Sequence, residues 1–126
     1  MAEAESVRIG LAQLNSVLGD SAANLERAEE YIARAAAKSC DLVMFPELNL
    51  QGYRADELFA DIAEPIPGPT TRRLVELAER HDIYIVMGMG RRGEWFPHLV
   101  YNSLCFVGPD GPVSYTHLTL PTNREV

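Results

Sequence analysis

The residue best suited to chemistry is Glu47, in the stretch DLVMFPELNLQGY that spans residues 41–53. Residues 42–45 form a continuous apolar run, which is typical of a strand buried on both faces of a sheet. In open α/β sheets, ligands bind beyond the carboxyl ends of the strands. A carboxylate that leaves the strand directly after Pro46 is therefore expected to face a substrate. Partial removal from water would make it a suitable general base near neutral pH.

A structural role for Glu47 is the alternative, because acids at strand ends also cap turns and join ion-pair networks. Here the carboxylate could cap the turn that follows, or it could pair with Arg54. Tyr53 closes the same stretch. We expect it to bind substrate beside Glu47 or, as the alternative, to pack over the loop.

The other residue types that could carry chemistry lack the surroundings or spacing of a site. Cys105 lies inside an apolar segment, where a free cysteine packs as a small hydrophobic residue. Cys40 has no neighbouring base or helix start to activate its thiol. We expect no metal site, since the histidines show no ligand spacing; they are His81, His98 and His117. We also expect no cofactor, because no helix pattern follows the glycines of MGMGRRG, as a phosphate-binding loop requires.

The apolar pattern along the chain predicts one α/β domain that positions the acid. Alternating or continuous apolar residues predict four strands, at residues 7–14, 41–45, 83–89 and 99–107. Apolar residues at helical spacing predict a helix over residues 21–38, capped by Asp20, and another that begins at Pro69. A short helix is expected near residues 57–63, and a tight reversal at residues 108–111.

Composition restricts the partners and the compartment. The 126 residues are 47% hydrophobic, which suffices for one core, and the net charge is −7. This charge argues against nucleic acid and anionic membrane as partners, because phosphate binding needs clustered Lys and Arg. The sequence shows neither a membrane-spanning apolar run nor a secretory signal. The two cysteines, without CxxC spacing, suit a reducing compartment. We therefore expect a cytoplasmic protein without nucleic-acid or membrane partners.

Several stretches resemble, in the same order, the N-terminal part of the nitrilase superfamily of carbon–nitrogen hydrolases. They are VRIGLAQLN, the Gly19–Asp20…Asn24 pattern, DLVMFPELNLQGY, PIPGPTTRRLVELAERHDIYIVMG and YNSLCFVGPDG. The combination is specific, whereas FPEL alone would be weak. The resemblance covers residues 7–113, and we treat residues 1–113 as the N-terminal portion of such a domain. It implies an α-β-β-α sandwich that is incomplete in this chain.

This family is known for a Glu–Lys–Cys triad that hydrolyses non-peptide carbon–nitrogen bonds. The thiolate attacks the substrate carbon, the Glu moves protons, and the Lys stabilises the tetrahedral intermediate. The resemblance implies that Glu47 is the catalytic Glu. Alignment on THL, residues 116–118, places Tyr115 where the family has its Lys, and no residue of this chain matches the family's Cys.

The resemblance therefore implies a full-length hydrolase of a small amide, carbamoyl compound or nitrile that forms a homo-oligomer. The fragment itself is expected to be inactive. A catalytically empty α/β module that binds a small molecule or a partner is the alternative function. An unrelated flavodoxin-like nucleotide binder is the third, although NSVLGD after the first strand offers little to hold phosphate.

Residues 114–126 fit the family pattern poorly. They resemble a translated sequencing adapter, which would make them a non-native tail, and natural truncation of the gene is the other explanation. An N-terminal portion alone should leave apolar faces uncovered. We expect such a chain to be marginally stable or to associate, because large exposed apolar patches promote association.

Overall fold

The computed structural model describes residues 6–53, 58–96 and 99–117. The strands are β1 (Ile9–Leu11), β2 (Leu42–Met44), β3 (Tyr84–Arg92), β4 (Val100–Gly108) and β5 (Gly111–His117). The helices are α1 (Ser21–Ala37), α2 (Leu58–Ile62) and α3 (Pro69–His81). None of the helices within these ranges combines the length and hydrophobicity needed to traverse a lipid bilayer.

The strands form one five-stranded sheet in the order β1-β2-β3-β4-β5. Strands β1, β2 and β3 are parallel, with Val43 in register with Gly10 on one side and Ile85 on the other. Strands β4 and β5 continue the sheet as antiparallel neighbours. The carboxyl ends of the three parallel strands therefore meet at one edge, and the segment that contains Glu47 leaves β2 there.

Both predicted long helices are present and begin where the sequence indicates. The Asp20 carboxylate accepts the backbone N–H of Ala23 at 3.0 Å, which caps α1. Pro69 opens α3, where its missing N–H costs nothing. The predicted strands at residues 41–45, 83–89 and 99–107 are confirmed within one to three residues at each end. The first strand is shorter than predicted, since only residues 9–11 pair as a strand.

The two long helices cover one face of the sheet. Their buried residues pack with the inward side chains of the central strands in one core; among the core residues are Ile32, Leu74, Leu77, Val43, Ile85, Met87 and Cys105. Arg73 of α3 makes a bidentate contact with Glu29 of α1, with nitrogen–oxygen distances of 2.8 and 3.1 Å. The hydrogen bond from Arg73 lowers the pKa of Glu29. This pair therefore joins the helices most strongly while the carboxylate is ionised.

The opposite face of the sheet is largely uncovered by the described residues, and we call it the open face. Small residues of the β1 segment face the helices: Gly10 in β1, and Ala12 directly after it, lie towards α1. Its large residues lie on the open face, where Leu11 is 67% exposed. Alternation along the paired strands continues this surface; its exposed members include Ile9, Leu11, Met44, Tyr84 and Leu104.

We predict that the purified chain associates through the open face, because contiguous apolar surface of this kind is unstable in water. Sedimentation velocity should show species larger than a monomer. Leu11→Lys should shift the distribution towards the monomer. Val17→Lys is the control, because Val17 is also exposed but lies in the connection before α1. A monomeric chain with a sharp two-state thermal transition would contradict this prediction.

Candidate functional site

The segment that follows β2 lies directly against the backbone of β3. A Cβ atom added to Gly88 would come within 2.6 Å of the Leu48 nitrogen, 2.7 Å of the Pro46 oxygen and 2.9 Å of the Glu47 Cα. Only a glycine leaves this space free. Gly88 and Gly90 lie inside β3 and not in a phosphate-binding loop. Gly88, the first glycine of MGMGRRG, therefore allows the segment that carries Glu47 to pack directly on the backbone of β3.

Buried carboxamides fix this loop, which we define as residues 46–52. Gln51 is fully buried; its Oε1 accepts the N–H of Gly90 at 2.8 Å, and its Nε2 donates to the Gly90 oxygen at 3.3 Å. From α1, Asn24 donates through Nδ2 to the Leu50 oxygen at 2.8 Å. Buried polar groups are costly unless they are paired. These bonds therefore specify one position for the loop, and sequence reasoning did not foresee them.

Glu47 itself lies on the open face at the carboxyl end of β2. Its Oε1 accepts a hydrogen bond from Nδ2 of Asn102, on β4, at 2.8 Å. The expectation that Glu47 is partly removed from water is wrong for this chain, because the side chain is exposed. The physical reason is the open face, which no described element covers above the acid. Arg54, the alternative partner, lies outside the described residues.

Glu47 borders a pocket of about 360 Å³ on the open face. Apolar side chains supply most of its wall, and two of its polar residues, Glu47 and Asn102, are hydrogen-bonded to each other. The lining residues are Met44, Phe45, Glu47, Val86, Asn102, Leu104, Thr116 and His117. An apolar cleft with a few placed polar groups is typical of small-molecule sites. The acid and its Asn102 partner are thus brought together at the edge of an apolar cleft.

The two tyrosines named from the sequence lie elsewhere. Tyr53 is 71% exposed and does not line the pocket, so its role in substrate binding stays a prediction. Tyr115 pairs in register with Cys105 and packs against the helix-covered core. Burial raises the pKa of Tyr115. Since Tyr115 lies on the face of the sheet opposite Glu47, it neither carries the charge of a lysine nor reaches the pocket.

The cysteines are also far from the acid. Cys105 is fully buried in the core, and burial raises the pKa of its thiol to about 12. Cys40 is half-buried and precedes β2, so it lies at the opposite end of that strand from Glu47. Among the described residues, no group of three or more His, Cys, Asp or Glu side chains is placed to hold a metal ion. His98 lies outside those residues.

We predict that the native chain alkylates at one cysteine only. With a pKa near 12, the Cys105 thiol is ionised in about one molecule in ten thousand at pH 8. Its side chain is also inaccessible to reagent. Iodoacetamide at pH 8, followed by peptide mass spectrometry, should modify Cys40 and spare Cys105. Equal labelling of both before urea is added would contradict this placement, and labelling in urea provides the control.

We predict that Gly88→Ala displaces the acid-bearing loop, because its Cβ would overlap backbone atoms that cannot rotate away. Urea denaturation should show a loss of about 1–3 kcal/mol in the free energy of unfolding. Gly10→Ala is the matched control within the same sheet. Its Cβ would meet no atom closer than 3.3 Å: the nearest are the Cys40 Sγ at 3.3 Å, the Ala35 Cβ at 3.5 Å and the Leu42 backbone oxygen at 3.8 Å. A Gly88→Ala chain as stable as Gly10→Ala would show that the loop does not rest on β3.

Comparison with known proteins gives consistent matches. The sequence profile of the carbon–nitrogen hydrolase family matches residues 8–126. Nitrilase 1 of Arabidopsis thaliana is 30% identical over 145 residues, covering 99% of this chain and 41% of the nitrilase. An (R)-stereoselective amidase from Pseudomonas sp. is 35% identical over 105 residues, covering 83% of this chain and 37% of the amidase.

A solved structure agrees with these sequences. XC1258 from Xanthomonas campestris is described as a CN-hydrolase superfamily protein with an arsenic adduct in its active site. It is 30% identical, with a TM-score of 0.74, and the match covers 88% of this chain and 40% of that protein. The chain therefore spans about two fifths of the length of the relatives it matches.

Proposed function

Because the chain belongs to the carbon–nitrogen hydrolase family, we propose that Glu47 is the proton-transferring residue of a hydrolase that cleaves non-peptide carbon–nitrogen bonds. The observation that carries this proposal is the position of its carboxylate. Glu47 follows the carboxyl end of the parallel strand β2, and its side chain borders an apolar cleft. This is where open α/β sheets bind their ligands.

In the proposed reaction, the Glu47 carboxylate takes the proton of a cysteine thiol as the sulfur bonds to the substrate carbon. With an amide, Glu47 then gives that proton to the departing nitrogen, which leaves as ammonia or an amine. Water next attacks the acyl-enzyme and Glu47 accepts its proton. The carbon–sulfur bond then breaks to release the acid, and Glu47 returns the proton to the sulfur, which restores the thiol. A lysine ammonium would stabilise the negative oxygen of each tetrahedral intermediate.

Neither the thiol nor the ammonium group of this scheme comes from the chain as given. Cys105 is buried on the other face of the sheet, and Cys40 lies at the opposite end of β2 from Glu47. Alignment on THL, residues 116–118, puts Tyr115 at the position of the family's lysine. We therefore propose that the 126-residue chain is inactive alone and that the full-length protein acts. Small amides, carbamoyl compounds and nitriles are the proposed substrates. The relatives named nitrilase and amidase support this class.

The chain alone should release no ammonia from simple amides or nitriles above the rate of buffer. Measured turnover that disappears in Glu47→Gln would contradict the proposed need for a thiol and a lysine from elsewhere. It would also indicate that the residues that line the cleft with Glu47 are sufficient for catalysis.

A fusion tests the role of Glu47 directly. Residues 8–113 of this chain would replace the matching segment of the Pseudomonas (R)-stereoselective amidase, which supplies the remainder of a domain. We predict amide hydrolysis by the fusion and a loss of about 10²–10⁴-fold in kcat for Glu47→Gln, the range expected for a general base.

Glu30→Gln is the matched control, because Glu30 is exposed on α1 and remote from the cleft. A folded, active fusion in which Glu47→Gln turns over as fast as Glu30→Gln would refute the assignment. A folded fusion without activity would favour the alternative of a catalytically empty binding module.

A further inference from the structure

Asn102 occupies a position on β4 that directs its side chain to the open face. Its register partner on β3 is Gly90. The N–H of Gly90 donates to Gln51, and the Gly90 oxygen accepts from Gln51 and from the backbone N–H of Glu64. The backbone N–H and C=O of Gly90 therefore do not bond to β4. Gly90 and Asn102 form a non-hydrogen-bonded pair of the antiparallel ladder, the kind in which the two Cα atoms lie closer together.

Glu47 approaches this part of the open face from the β2 side of β3, whereas Asn102 approaches it from β4. Its Cα lies above Gly88, at 2.9 Å from where a Cβ would be. Leu104 is the β4 partner of Gly88, and Asn102 is two residues along β4, so its side chain lies on the same face. The loop over β3 and the side chain from β4 therefore converge, which produces the 2.8 Å contact between Nδ2 and Oε1.

We propose that Asn102 is a positioning residue for Glu47, holding Oε1 so that Oε2 accepts the proton in the reaction. This inference rests on the proposed function of Glu47. Asn102 donates the hydrogen bond that the structure shows to this carboxylate, at 2.8 Å.

A carboxamide suits this task chemically. It donates a hydrogen bond at every pH at which the protein folds, and it carries no charge. A lysine or arginine in its place would pair with the carboxylate and favour the ionised form, which weakens a base. An aspartate would repel it. Asparagine therefore fixes the direction of the carboxylate without neutralising it.

The test is NMR spectroscopy of the intact chain with ¹⁵N-labelled asparagine side chains, followed through an acid titration. Asn102→Leu identifies the Asn102 amide signals by their loss. In the unsubstituted chain these signals should move as Glu47 is protonated, because their acceptor loses its charge. In Glu47→Gln the movement should disappear. Asn24 is the internal control, since its Nδ2 donates to the backbone oxygens of Val17 and Leu50, which do not titrate.

The proposal would be overturned if the chemical shifts of the Asn102 side-chain amide did not change with pH, or if they changed equally in Glu47→Gln. Selective labelling leaves few signals, which keeps the Asn102 signals free of overlap. The result does not depend on turnover. A chain that shows the contact while the amidase fusion lacks activity would refute the function proposed for Glu47 and leave the contact established. An active fusion without the contact would refute only the role of Asn102.

Discussion

The site depends on the close contact between the acid-bearing loop and the glycines of β3. Gln51, fully buried, bonds both backbone groups of Gly90 and so acts as a further strand segment beside β3. Gly88 removes the side chain that would otherwise separate loop and strand. A buried carboxamide left without these partners would cost about 1–3 kcal/mol. The direction of Glu47 therefore follows from the pairing of Gln51, several residues further along the chain.

The sheet has two faces with different consequences. The helix-covered face contains the core, where burial raises the pKa of the Cys105 thiol to about 12. The open face carries Glu47, Asn102 and the cleft, together with exposed apolar side chains. The same lack of cover explains why the Glu47 side chain is exposed. The role proposed for Glu47 therefore needs a covering element, because a dry surrounding strengthens electrostatic interactions.

Local signals predicted much of the fold. Asp20 and Pro69 mark helix starts by their own chemistry. The apolar run at residues 42–45 identified β2, so the position of Glu47 after its carboxyl end followed from the sequence. The family resemblance and the mixed α/β fold are confirmed by the profile match and the solved structure. The first strand was predicted too long because its alternation extends beyond the residues that pair with β2.

The contacts that aim the carboxylate were not predictable from spacing. Gln51 and Gly90 are separated by 39 residues and Glu47 and Asn102 by 55, and only tertiary pairing joins them. The exposure of Glu47 was also missed, since periodicity does not tell which face of a sheet is covered. A buried NLQG sequence after a strand was the available signal for the loop, because polar residues in an apolar context need partners.

Amide hydrogen exchange at Gly90 tests the loop contact most directly. The N–H of Gly90 donates to the buried Gln51 side chain, so its exchange should be as slow as that of neighbouring β3 amides. Gln51→Leu should speed exchange at Gly90 and leave Met87, in the core of the same strand, protected. Fast exchange at Gly90 in the unsubstituted chain would show that the loop does not hold to β3, and the placement of Glu47 would fail with it.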